Sequence, residues 1–211
     1  MQRSPILFLL LTSCLATMFA CTTVFKGLTD ATGDVAAIEK FKPAFTVALY
    51  KTEVNVMGNY LSGLLLIKKM PDSSTRMLFS NEMGFKFFDF EFSKNGDFKV
   101  YYILKKMDRK AAVKTLRKDF ELILMEPLIA EKAYLKSDNM GNRYFIYPQS
   151  KGFNYYVTDS TGKTFVSMNR ASKSKVIVTA IAKDYKNGLP DTIGIEHHNF
   201  NFNIALKKLE R

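Results

Sequence analysis

Alternating apolar and polar residues run through most of the chain and predict β-strands. The pattern is clearest where Phe88, Phe90 and Phe92 alternate with Asp89 and Glu91. Successive side chains of a strand point to opposite faces, so the three phenylalanines share one face. We therefore expect this face to be apolar and the face with Asp89 and Glu91 to contact water. The next strand is expected to continue the apolar face with Phe98, Val100, Tyr102 and Leu104.

The same pattern along the chain predicts two groups of strands, each preceded by a helix. The first group covers residues 45–56, 60–70, 75–81, 85–93 and 98–105, and the second 133–137, 143–147, 153–159, 164–169, 175–183, 192–196 and 199–209. Asp34 is expected to cap a short helix over 35–41, and Asp108 a longer helix that ends near Met125. The short turns between strands predict antiparallel neighbours.

The longer predicted helix carries an apolar stripe that needs an apolar surface to cover. Its members recur at spacings of three and four: Val113, Leu116, Phe120, Ile123 and Leu124. A sheet of so many strands must curl, because large twisted sheets rarely stay flat. The sequence therefore predicts a mainly β (α+β) domain over residues 34–211, a curled antiparallel half-barrel with helices covering its concave face.

The apolar face of this half-barrel is the main candidate for a binding site. The residues expected to line a cavity there are Leu64, Leu66, Phe88, Phe90, Leu116 and Phe120. Such a face is ordinarily filled by the protein's own side chains. Curled sheets and barrels of this size can also leave room for one small ligand, so both interpretations stay open.

The N-terminus has the layout of a secretory signal peptide. Residues 6–20 are apolar and uncharged and follow Arg3. The run is too short to span a bilayer, which takes about 20 apolar residues. Ala20 followed by Cys21 resembles the lipobox of bacterial lipoproteins, in which the cysteine receives a diacylglyceryl group and the new N-terminus is acylated. The resemblance implies a signal peptide over 1–20, Cys21 as the lipid anchor and residues 21–33 as a tether.

Two alternatives to Cys21 as the anchor remain. Cys14 follows Leu11-Thr12-Ser13 and matches the letters of the motif better, but it leaves a short apolar run before it. Ordinary secretion with a free Cys21 is the other alternative. The chain has only these two cysteines, so the exported domain is expected to have no disulfide.

The charge balance is strongly basic, with 31 Lys and Arg against 20 Asp and Glu. Such a balance often indicates nucleic-acid binding. The export signal and the scattering of the lysines argue against that partner. We expect a solvated basic surface, or one attracted to the anionic headgroups of a membrane.

The residues of common catalytic sites are nearly absent from the sequence. His197 and His198 are the only histidines, and adjacent residues of a strand point to opposite faces, so they are unsuited to binding one metal ion. We expect them to be a surface pair without function. No phosphate-binding glycine loop occurs. The sequence therefore predicts no enzyme, no metal and no cofactor.

Residues 45–125 resemble the LolA/LolB-type lipoprotein carriers. Residues 60–69 are similar to the second strand of that family, and residues 77–84 (MLFSNEMG) to the LolB pattern of an apolar strand, a Pro-Leu-Gly loop and another strand. Glu82 stands at the proline and Met83 at the leucine, while Leu189-Pro190 matches the C-terminal pattern. The resemblance implies a hydrophobic cavity for acyl chains and a membrane-touching role for Met83. The alternative is that Met83 folds back over Phe85 or Phe87.

Together these features predict a lipoprotein of the cell envelope, anchored at the outer membrane and facing the periplasm. Its expected activity is non-covalent binding of a lipid or lipidated partner, with a role in lipoprotein localisation. The alternative is an accessory envelope lipoprotein whose core is full and whose surface docks a protein partner. An open cavity on the concave face favours the first function, and a filled core favours the second.

Overall fold

A computed structural model describes residues 23–210, which form mainly one antiparallel sheet. The strands in this part of the chain are β1 (Thr29–Ala31), β2 (Val47–Val56), β3 (Asn59–Lys69), β4 (Thr75–Ser80), β5 (Lys86–Phe92), β6 (Phe98–Ile103), β7 (Tyr134–Ser137), β8 (Arg143–Pro148), β9 (Phe153–Thr158), β10 (Phe165–Ala171), β11 (Val176–Lys186), β12 (Leu189–His197) and β13 (Phe202–Lys208). The helix α1 spans Lys110–Leu124, and short 3₁₀ helices span Val35–Phe41 and Ala130–Lys132.

The sheet order joins the two predicted groups of strands. From one edge to the other it is β1-β7-β8-β9-β10-β11-β12-β13-β2-β3-β4-β5-β6. The last strand, β13, pairs with β2, with Phe202 opposite Val56. Within the described residues β1 and β6 each have one neighbour, so the sheet is open.

Contacts of α1 demonstrate that the sheet curls. The ring of Phe120 lies 5.5 Å from that of Phe88 on β5, and Asp119 lies 3.1 Å from Arg170 on β10. β5 and β10 are seven positions apart in the sheet order, which is about 34 Å in a flat sheet at about 4.8 Å per strand. One helix contacts both because the sheet wraps around it. The predicted fold class, a curled antiparallel half-barrel with a helix on its concave face, is confirmed.

The main core lies between the concave face and the helices. Its fully buried side chains include Tyr50, Leu65, Ile67, Met77, Phe79, Phe90, Leu122 and Ile123. The 3₁₀ helix Val35–Phe41 contributes the buried Ile38. As predicted, Asp34 caps this helix, because its Oδ1 accepts a hydrogen bond from the backbone N–H of Ala36 at 2.8 Å.

A second apolar cluster covers the convex side of the sheet. The ring of Phe25 packs edge-on against Phe153 and Tyr155, with ring centroids 5.1 and 5.4 Å away. Strand β1 adds to the sheet beside β7. Residues 23–33, predicted as a tether, are therefore packed against the domain. The predicted signal peptide and the anchor Cys21 lie outside the described residues.

Two details at β5 and β6 correct the sequence prediction. Asp89 does not face water: it is buried, and Arg76 donates two hydrogen bonds to its carboxylate at 2.8 and 3.0 Å. The pairing of β5 with β6 shifts register between Asp89 and Phe90. Because of this bulge, Ile103 rather than Tyr102 joins the apolar face, opposite Phe88.

The start of α1 also differs from the prediction. The helix begins at Lys110, and Arg109, not Asp108, occupies the capping position. Arg109 makes no side-chain hydrogen bond to the first turn. The helix ends at Leu124 with Met125 in the left-handed conformation (φ 53°), close to the predicted end.

Candidate functional site

An apolar cavity of about 540 Å³ lies between α1 and the concave face of the sheet. The helix contributes Ala112, Leu116 and Phe120, which share one side of α1 because residues four apart lie above one another. The sheet contributes Leu61, Leu65, Phe79, Phe88, Phe202 and Ile204. This volume lies in the range of about 300–1,000 Å³ that is typical of small-molecule sites. The cavity is therefore large enough for part of an elongated apolar ligand.

The structure places three of the six predicted cavity residues in this lining, namely Phe88, Leu116 and Phe120. Phe90 is fully buried in the core, with its ring stacked 4.4 Å from that of Phe88, and does not reach the cavity.

Leu64 and Leu66 lie on the convex face, and their assignment to the cavity is wrong. Leu65 and Ile67 of the same strand are buried on the concave face instead. The run Leu64-Leu65-Leu66-Ile67 is apolar on both faces. The sequence of this run therefore does not indicate which side chains face the concave side. A shift of one residue in the pairing would exchange the two faces.

The mouth of the cavity lies where β2 ends and β3 and β13 begin. Met57 and Phe200 line it from the β2–β3 turn and the β12–β13 connection, and both side chains are exposed. Met57 has φ 47° and is followed by Gly58 with φ 82°. Two-residue hairpin turns with two positive φ angles strongly favour Asn, Asp or Gly. Met57 adopts a backbone conformation that is unfavourable for methionine, and its apolar side chain is exposed to water.

The β4–β5 loop projects from the same end of the strands. Met83 is 83% exposed and Phe85 is 68% exposed. Asn81 holds the loop: its Oδ1 accepts a hydrogen bond from the N–H of Phe85 at 2.8 Å, and its carbonyl accepts one from Gly84 at 3.1 Å. The alternative that Met83 folds back over Phe85 or Phe87 is therefore wrong.

Glycine at position 63 lets β3 pass close to the base of this loop. A Cβ at Gly63 would lie 2.1 Å from the carbonyl oxygen of Ser80, the last residue of β4. No side chain fits at that distance, so the approach of the two backbones requires glycine. This contact fixes the loop relative to the strand that also lines the cavity.

A buried polar cluster connects α1 to the sheet on the concave side. The Asp119 carboxylate is fully buried, 2.9 Å from Nε2 of His197 on β12 and 3.1 Å from the guanidinium of Arg170 on β10. The prediction of a surface histidine pair is correct only for His198, which is exposed and lies 2.9 Å from the hydroxyl of Thr179. The missed signal is Asp119 itself, a carboxylate next to Phe120 within the apolar stripe of the helix.

A second cavity, the basic groove, lies on the other side of α1. It has a volume of about 710 Å³ and is lined by Lys110, Lys114 and Lys118 on α1, Phe98 and Val100 on β6, and Lys151 on the β8–β9 loop, with Asp108 and Glu121 as its carboxylates. Burial, and then the positive charges of Arg170, Lys114 and Lys151, lower the pKa of Lys118. The fold thus places Lys151 beside three lysines of α1 from which it is distant in sequence.

Two features are absent from residues 23–210. This part of the chain contains no cluster of three or more His, Cys, Asp or Glu side chains that could hold a metal ion. It also contains no helix that is both long enough and apolar enough to cross a membrane.

Comparisons with known proteins give likenesses of fold only. No protein-family model matches the chain, and no curated protein matches it in sequence. A solved domain from Vibrio parahaemolyticus, named as an outer membrane lipoprotein-sorting protein, is similar at 10% identity and a TM-score of 0.47, over 83% of this chain and 89% of that one. A DUF1329 family protein from Desulfovibrio piger ATCC 29098 is similar at 8% identity and a TM-score of 0.45, over 85% and 92%. At such low identities and TM-scores, neither likeness carries an argument about activity.

Proposed function

We propose that this protein is an envelope lipoprotein, anchored at Cys21, that binds an acyl chain non-covalently in the cavity beneath α1. The observation that carries the proposal is the open apolar cavity of about 540 Å³ on the concave face. Each buried CH₂ group of a ligand is worth about 0.8 kcal/mol. A cavity lined mainly by apolar side chains therefore favours an alkyl chain over a polar ligand.

The surroundings of the cavity mouth support exchange of such a ligand with a membrane. Met57, Met83, Phe85 and Phe200 are exposed at this end of the strands. Exposed lysines and an arginine accompany them: Lys86, Lys105, Lys106 and Arg109. Apolar tips among basic side chains suit the interface of a bilayer with anionic headgroups, where each cation contributes about 1 kcal/mol. We propose that this end touches the membrane and that Met83 enters it.

We expect Ala112→Trp to weaken binding of cis-parinaric acid, a fluorescent fatty acid, by about tenfold. Ala112 lines the cavity from α1, and a side chain that fills the space forces the ligand to displace packed atoms, at about 1–3 kcal/mol. Fluorescence titration measures the affinity. The matched control is Ala205→Trp, which adds the same side chain on the convex face of β13. Equal affinities for the two variants would exclude this cavity as the ligand site.

We expect Met83→Glu to retain fatty-acid binding but to slow transfer of the bound ligand to anionic vesicles several-fold. Met83 is 83% exposed and makes no part of the cavity lining, so the change leaves the fold within about 0.5 kcal/mol. A carboxylate at the tip resists insertion into the bilayer. The assay follows loss of ligand fluorescence after vesicles are added, with Glu82→Gln as the control. A stable Met83→Glu variant that transfers at the parent rate would contradict a membrane role for this loop.

The lipid anchor is tested by labelling cells with radioactive fatty acid. We expect Cys21→Ala to abolish incorporation and Cys14→Ala to leave it intact. The reverse result would assign the anchor to Cys14. If neither the parent nor the variants incorporate label, the protein is secreted without a lipid anchor.

A further inference from the structure

We propose that the basic groove binds an extended acidic segment of a partner protein, which adds as a strand to the free edge of β6. This proposal is independent of acyl-chain binding, because the groove and the apolar cavity lie on different sides of α1. Three features of the groove carry it: the unpaired strand edge, the spacing of the lysines and the excess of basic side chains over the two carboxylates of the lining, Asp108 and Glu121.

The edge of β6 presents unpaired backbone groups to the groove. The N–H of Ser93 donates to the carbonyl of Asp97 at 2.9 Å, and Phe92 is opposite Phe98 in the next pair. Hydrogen-bonded and non-hydrogen-bonded pairs alternate in antiparallel strands. Phe98 and Val100 therefore direct their N–H and C=O groups away from β5, and among the described strands no other neighbour is present. An extended peptide can satisfy these groups by strand addition.

The lysines of α1 match the repeat of such a peptide. Lys110, Lys114 and Lys118 recur every four residues, which is a spacing of about 6 Å along the helix axis. Alternate side chains on one face of a strand are about 6.6–6.8 Å apart. Acidic residues at every second position of the added strand would therefore each contact one of these three lysines.

The positive charge in the groove is largely uncompensated. Within residues 23–210, no carboxylate lies within ion-pair distance of Lys110, Lys114, Lys118 or Lys151, whereas the neighbouring Arg117 pairs with Glu121 at 2.6 Å. Burial is the main cause of the lowered pKa of Lys118, and the nearby cations Arg170, Lys114 and Lys151 lower it further. A ligand that supplies carboxylates would relieve the repulsion between them.

The probe for the charge contacts is a fluorescein-labelled ten-residue peptide of alternating Thr and Glu, measured by fluorescence anisotropy at low ionic strength. We expect it to bind the parent protein, and Lys114→Glu and Lys118→Glu each to weaken binding about fivefold or more. The control is Lys68→Glu, an exposed lysine on the opposite face of β3, for which we expect less than a twofold change. Equal weakening by all three variants would overturn the site, because it would indicate attraction to the net charge.

The strand-addition step is tested separately on the parent protein. A peptide in which every backbone nitrogen is methylated keeps every glutamate side chain but has no N–H groups to pair with β6, and we expect it to bind at least fivefold more weakly. The complementary variant Val100→Pro removes one outward donor of β6, and its thermal unfolding is measured to verify folding. Equal affinity for the methylated peptide would overturn strand addition. Absence of peptide binding, with Lys114→Glu and Lys118→Glu instead reducing binding to phosphatidylglycerol vesicles, would replace the proposal with a lipid-headgroup site.

Discussion

Phe120→Ala is expected to lower the free energy of unfolding by about 3–5 kcal/mol. The ring of Phe120 is 2% exposed and lies 5.5 Å from Phe88 and 6.4 Å from Phe92, centroid to centroid. Its removal takes away the main aromatic contact between α1 and β5 and enlarges a cavity that cannot collapse fully. Because one side of the ring already borders the open cavity, we expect a loss near 3 kcal/mol, at the lower end of the range for buried phenylalanines.

Chemical denaturation followed by circular dichroism measures this loss. The matched control is Phe85→Ala, the same change at a ring that is 68% exposed, where we expect a change within about 0.5 kcal/mol. A loss below about 1 kcal/mol for Phe120→Ala would contradict the packing of α1 on the concave face. Since Phe120 also lines the cavity, the variant should in addition bind cis-parinaric acid with altered affinity.

Local patterns were sufficient to predict most of the fold. The first group of strands and α1 were predicted within a few residues of their ends, because alternation of period two and the helical stripe are strong where one face alone is buried. The prediction failed where both faces are apolar. Leu64 and Leu66 were assigned to the cavity although Leu65 and Ile67 face it, since an unbroken apolar run contains no information about register.

The remaining errors come from contacts that are distant in sequence. Phe25 is buried because β1 pairs with β7, more than 100 residues later, and a polar stretch near an expected anchor gives no sign of this. The bulge at β5 and β6 depends on how the edge strand twists, which the alternation of Phe98 and Val100 does not reveal. The basic groove likewise exists only after folding, because its lysines come from α1 and from the β8–β9 loop.

Asp119 illustrates the same limit at the candidate site. Its partners His197 and Arg170 are 78 and 51 residues away in sequence and belong to two different strands. A single carboxylate in an apolar stripe indicates that something buried must pair with it. Only the curl of the sheet identifies those partners, because it brings β10 and β12 beneath the same turn of α1.

Asp119→Ala is expected to destabilise the protein by about 3–5 kcal/mol, because it leaves the buried imidazole of His197 without its hydrogen-bond partner and the guanidinium of Arg170 without its counter-charge. Oδ1 of Asp119, Nδ1 of His197 and Nη1 of Arg170 already lack a hydrogen-bond partner among residues 23–210. Thermal and urea unfolding measure the effect. The control is Asp30→Ala, which removes a carboxylate from an exposed pair with Lys136 at 2.6 Å, and we expect a change below about 1 kcal/mol. Similar losses for both variants would contradict a buried pairing role for Asp119.

A triple variant separates the pairing from the burial of the cluster. Asp119→Leu combined with His197→Phe and Arg170→Met replaces every member by an apolar side chain of similar size. Replacement of a buried ionic cluster by packed apolar residues is often neutral or stabilising, and the two unpartnered nitrogens of this cluster favour that outcome here. We therefore expect the triple variant to recover most of the stability that Asp119→Ala loses. A triple variant as unstable as Asp119→Ala would instead mean that the ion contacts themselves hold α1 against β10 and β12.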